Sequence, residues 1–140
     1  MFYSTERRRL FNPNAREACG ARMRERRDAL LRQPYPSPAA LLRLTVAAEF
    51  AVDVELMAGP RQFGELVLAR WACAPVMRRR LAWSTTRIGM ALGGRDHTTI
   101  VHALQQAARR ELADETFAAR LARIEAELGP AQPEEQPCAA

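Results

Sequence analysis

Asp96, His97, Thr98 and Thr99 follow a Gly93-Gly94-Arg95 turn and precede Ile100-Val101-His102. The glycine pair makes a tight turn, and Asp96 stands where a helix would begin. Its carboxylate can accept from backbone N–H groups that a first helical turn leaves unpaired. His97, Thr98 and Thr99 then project from that turn, while Ile100, Val101 and Leu104 begin an apolar face. A helix that presents short polar groups at its N-terminus, just after a glycine turn, suits a DNA major groove. Asp96 can accept from a cytosine amino group, in competition with capping. His97 can donate to a purine N7 or O6, and Thr98 can set its methyl against a thymine methyl. Thr99 fits a phosphate contact through its hydroxyl.

Other chemistries find little material. His97 and His102 are five residues apart rather than the four that stack ligands on one helix face, and no acidic cluster accompanies them. Cys19, Cys73 and Cys138 are widely spaced and form no CxxC pair, which fits reduced thiols better than a zinc site or a disulfide framework. No GxxxxGK[ST] phosphate loop occurs, and the chain contains no lysine, all 21 basic residues being arginine. We expect no metal, no cofactor and no enzyme activity, ATP hydrolysis included.

The elements that must position the Asp96 group read as an all-α chain. Asn12-Pro13 offers a helix start, and a weakly amphipathic, Arg-rich helix is expected over 13–32, with Cys19, Met23, Ala29, Leu30 and Leu31 as its apolar set and Gly20 weakening it. It can pack on the core, lie along phosphates, or order only with a partner. Residues 34–38, Pro-Tyr-Pro-Ser-Pro, form a linker. Ser37 and Pro38 start a helix to about Phe50 with Leu41, Leu44, Val46, Ala48 and Phe50 to bury, and a short turn follows from Val54 to Ala58. A long helix from about Phe63 to Leu81 carries Pro75, which should bend or break it near Trp71. Ser84 caps a helix over 85–92, a second helix runs from Asp96 to about Arg110, and a last one spans 114–128. The organisation is thus a basic segment 1–33, a linker 34–38, a domain 39–128 and a disordered tail 129–140.

Charge follows this division. Residues 1–33 hold nine arginines against four acids and residues 36–110 ten against five, whereas residues 111–140 hold two against seven. Nucleic acid is the natural partner of the basic parts. No apolar run is long enough to span a bilayer and the N-terminus lacks a signal-peptide core, so a cytoplasmic, nucleoid-associated protein is expected.

The run Gly-Gly-Arg-Asp-His-Thr-Thr-Ile-Val-His at 93–102 resembles the signature of the C-terminal DNA-binding domain of the bacterial replication initiator DnaA. The resemblance extends from about Ala39 to about Ala108: Val46-Ala47-Ala48-Glu49-Phe50 and Val52-Asp53-Val54-Glu55-Leu56-Met57 are similar to its first helices, Leu68-Ala69-Arg70-Trp71-Ala72 to its long middle helix, and Ile88-Gly89-Met90-Ala91-Leu92 to the first helix of its helix-turn-helix. It implies base contacts from Asp96, His97 and Thr98, and phosphate contacts from Arg70, Arg78 and His102 beside Thr99. Thr85 and Thr86 occupy a further anion-binding helix start. Arg95 either touches a phosphate or serves the fold, and Arg79, Arg80 and Arg87 add general electrostatics. The family also sets an arginine from a basic loop into the adjacent minor groove. The corresponding segment here, residues 59–65, holds one arginine and one acid, leaving Arg61 or Gln62 for that role.

The implied function is a monomeric, sequence-specific binder of double-stranded DNA that regulates transcription or replication without the initiator's ATPase module. The alternative is an adaptor that keeps the fold and docks RNA polymerase or replication proteins through its N-terminal segment.

Overall fold

The computed structural model describes residues 13–130, which form seven helices and no strand. The expectations for residues 1–12 and for 131–140, including the disordered tail, lie outside the described residues. The helices are α1 (Pro13–Leu31), α2 (Pro38–Phe50), α3 (Val54–Met57), α4 (Gly64–Leu81), α5 (Thr85–Ala91), α6 (His97–Ala113) and α7 (Glu115–Leu128).

Short polar side chains set where most of them begin. Ser37 Oγ accepts from Ala40 N–H at 3.4 Å, Asp53 from Glu55 N–H at 3.0 Å and Ser84 Oγ from Arg87 N–H at 3.2 Å. Each satisfies a donor that the first helical turn cannot pair internally. Asp114 serves two helices at once. Its N–H donates to Arg110 O at 2.7 Å, closing α6, while its carboxylate accepts from Thr116 N–H at 3.0 Å to open α7.

α2 lies at the centre and packs on α1, α4 and α7, while α6 packs on α4, α5 and α7. Phe50, Leu66, Met77, Ile88, Leu92, Ile100 and Ile124 are among the side chains fully enclosed by that arrangement. On α2 the buried leucine beside Leu44 is Leu42, whereas the expected Leu41 is only half-buried, because α2 is enclosed by three neighbours and not along one stripe. α4 runs unbroken through Pro75, so of the expected bend or break, the break does not occur. Its surroundings are enclosed: Ala72, Cys73, Ala74, Val76 and Met77 are all fully buried, and tertiary packing outweighs the missing backbone bond.

α1 belongs to the same body despite its weak amphipathicity. Met23 is buried against the core, and Gly20 is buried where α1 meets α2, next to Ala48 and Ala51. Arg16 pairs with Glu65 at 3.3 Å and Arg26 with Glu55 at 2.7 Å. Such exposed pairs orient a helix more than they stabilise it. Ala29 and Leu31, expected in the apolar set, are exposed instead.

The turn between α5 and α6 is fixed by two glycines with different duties. Gly93, at φ +95°, faces the end of α3, and a Cβ there would lie 1.9 Å from Ala58 O. Gly94, at φ +74°, would meet nothing within 4 Å. Gly93→Ala is therefore expected to destabilise the fold by about 3 kcal/mol or more, combining strain with a backbone clash. Gly94→Ala should lose only about 1 kcal/mol. Urea denaturation of the two variants checks the contrast; equal losses would contradict the contact between this turn and Ala58.

Candidate nucleic-acid interface

α6 begins with a small hydrogen-bonded unit. Asp96 is its N-cap, and Oδ1 accepts from Thr98 N–H at 3.4 Å while lying 2.8 Å from His97 Nδ1. Bonding to Thr98, reinforced by the neighbouring His97, holds the Asp96 carboxyl below its usual range. The Nδ1 contact also constrains the His97 ring. When Nδ1–H donates to Asp96, a neutral ring offers Nε2 as an acceptor, and only the charged ring donates there. Asp96, His97, Thr98 and Thr99 are all exposed, and Ile100 behind them is buried against the core.

The other expected residues come to the same end of the molecule in part. A cleft of about 200 Å³ is lined by Gln62 from the loop between α3 and α4, Arg70 and Trp71 from α4, Arg95 from the turn, and Thr99 and His102 from α6. Trp71 holds His102 edge-on, with ring centroids 6.4 Å apart at 78°, and carries the Arg110 guanidinium 5.6 Å from its own centroid. Arg61 is exposed on the loop, Arg78 is exposed at the end of α4, and Thr86 is exposed on the first turn of α5 beside a half-buried Thr85. None of Arg61, Arg78 and Arg87 has an ion pair among the described residues, although Arg87 stacks over Trp83 at 4.4 Å.

Arg70 corrects the expectation of a phosphate contact. It is buried, and its guanidinium donates to four backbone carbonyls. Nε reaches Met57 O at 2.9 Å, Nη1 reaches Arg61 O at 2.6 Å, and Nη2 reaches Leu56 O at 2.9 Å and Gly59 O at 2.8 Å. The carbonyls left over where α3 ends need donors that a short helix cannot supply, and one planar fork of N–H groups supplies them. Arg95 adds a further donor, Nη2 to Gly59 O at 2.6 Å. No carboxylate balances the pair. Burial, followed by the Arg95 charge, pulls the Arg70 pKa down to about 10.

A sequence profile described as "Bacterial dnaA protein helix-turn-helix" matches residues 41–107. The match covers just under half of the chain. The chromosomal replication initiator protein DnaA of Thermomicrobium roseum is 34% identical over 83 residues, which cover 59% of this chain and 18% of that protein. DnaA of Nostoc punctiforme is 32% identical over 88 residues, or 63% of this chain and 19% of its own length. DnaA of Oenococcus oeni is 33% identical over 67 residues, 48% and 15%. The chain thus spans about a fifth of the length of these curated relatives. No solved structure matches it.

Across the helical body the arginines divide by partner. Arg79 lies 3.9 Å from Glu125, and Arg80 donates to the same carboxylate at 2.7 Å and to Glu125 O at 2.9 Å. Arg120 pairs with Glu65 at 2.9 Å and Arg123 with Glu49 at 2.7 Å. Among the described residues, Arg78 alone of the Arg78-Arg79-Arg80 run has no ion pair, whereas Arg79 and Arg80 are paired with acids. Nothing in the sequence announced the Arg70 bonds, the Trp71–His102–Arg110 stack, or Arg43, whose Nη1 donates to Ala91 O at 3.3 Å. Cys73 is fully buried, which pushes its thiol up to about 12 and leaves it unsuited to nucleophilic work. Among the described residues no three metal-ligating side chains gather, and no helix is long and apolar enough to cross a membrane.

The Asp96 cap carries a pH signature. Its folded pKa lies below the unfolded one, so its contribution is complete above the ordinary aspartate range and is lost as pH falls through Asp96's own lower value. An NMR titration of the Asp96 carboxyl, followed together with the Thr98 amide, is expected to give a midpoint below about 3.9. A midpoint at or above that value contradicts the capping geometry.

Proposed function

We propose that this chain binds double-stranded DNA in a sequence-specific manner as a single copy and regulates transcription or replication. The observation that carries this reading is the exposed Asp96-His97-Thr98-Thr99 group at the capped start of α6, beside a cleft lined by Gln62, Thr99 and His102 and no carboxylate, with Arg61 exposed on the adjoining loop. Such a surface attracts a sugar–phosphate backbone and repels acidic protein. The likeness of residues 41–107 to the DnaA helix-turn-helix and the exposed Asp96-His97-Thr98 unit support placing the start of α6 in the major groove, as a recognition helix.

In this reading the free oxygen of Asp96 accepts from a cytosine amino group while the other keeps the cap. His97 faces a base edge, and Thr98 turns its methyl to thymine. Thr99, His102, Arg78, Thr85 and Thr86 hold phosphates, and Arg61 with Gln62 addresses the adjacent minor groove. Arg61, Arg78 and Arg87 have no ion pair among the described residues, which leaves their charge available to DNA, while Arg80 is bonded to Glu125 of α7.

Selection of binding sites from random duplexes at near-physiological salt should enrich a short motif. His97→Ala should weaken binding to it by about 1–3 kcal/mol and flatten the preference. Arg78→Ala should weaken all duplexes alike and lower the salt slope by about one. Absence of any enriched motif would sink sequence-specific binding.

A further inference from the structure

Closing the end of α3 needs one cation, yet two converge on Gly59 O. Arg70 arrives from α4, and Arg95 arrives from the turn immediately before Asp96. The pairing is electrostatically unfavourable, since no acid lies between them and burial with mutual repulsion lowers Arg70's proton affinity. Arg95 Nε is in addition buried without a partner. An arrangement that opposes charge and leaves a buried donor unmet is retained against a local cost. What it achieves is mechanical. Arg70 Nη1 holds the carbonyl of Arg61, fixing the backbone from which that exposed side chain extends. Arg95 ties the same loop to the turn of α6, and Gly93 lies against Ala58 one residue before Gly59.

We infer that Arg70 and Arg95 are positioning residues that lock the Arg61 loop in register with the start of α6, so that two groove-reading elements move as one body. The inference rests on the DNA reading above. It assigns Arg70 an action through Arg61 rather than direct attraction of a phosphate.

Arg70→Lys separates the two roles, because it keeps the charge while a compact ammonium with three donors cannot span four carbonyls. With the full chain and the selected duplex, Arg61→Ala should weaken the wild-type protein about 10-fold but the Arg70→Lys protein less than about 2-fold. Arg70→Lys should also lose preference at base pairs outside those governed by His97. Equal losses from Arg61→Ala in both backgrounds overturn the inference, as does an Arg61→Ala change without effect in the wild-type protein. A second readout needs no DNA. Trypsin cleavage after Arg61 should accelerate about 10-fold or more in Arg70→Lys at unchanged helical circular dichroism. Unchanged cleavage overturns the inference even if the selection recovers no motif, an outcome that would otherwise count against the DNA reading alone. Should Arg70→Lys not fold, Arg95→Met, which removes only the tie from the turn, is expected to shift both readouts in the same direction.

Discussion

Four carbonyls at the end of α3 and in the loop after it converge on the guanidinium of Arg70. Because that arginine stands on α4, a helix of the core, the loop inherits the position of the core. Gly93 closes the arrangement from the other side, since only a residue without Cβ can let the helix-turn-helix turn rest on Ala58. The loop, the turn and the start of α6 thereby share one anchor. If the anchor failed, the Asp96 unit and Arg61 would remain chemically intact but would lose their relative placement.

Packing and charge then divide the labour across the domain. α2 is enclosed by α1, α4 and α7, so the side away from the cleft is stabilised by burial and trimmed by ion pairs to Glu49, Glu65, Glu125 and Glu127. The residues lining the cleft include no acid, and the nearby Asp96 carboxylate is already engaged by Thr98 and His97. Long-range attraction and local hydrogen-bonding specificity are thus assigned to different residues of one surface.

Most of the helical frame was legible because the chain places a cap at nearly every start: Ser37, Asp53, Ser84, Asp96 and Asp114 each bond to the first turn they precede. The apolar spacing of Phe117, Leu121 and Ile124 was equally direct, since α7 has a single buried face. Legibility failed where tertiary context decides. Arg70 looks like any exposed arginine until the loop folds back over it. Gly20 reads as a helix weakener, yet it lies buried where α1 passes over α2. Pro75 reads as a break, and the enclosing core overrides it. At the candidate site the residue types at the start of α6 were plain from the sequence, whereas which arginines stay free depended on where Glu125 lies in space.

The account turns on the loop and the start of α6 meeting DNA together. Amide shift mapping of the isotope-labelled chain with a selected duplex tests this most directly. Concerted perturbation of residues 59–62 and 96–102, with α1 and α7 unmoved, is the predicted result. Perturbation confined to α1, or of α6 without the loop, would contradict it.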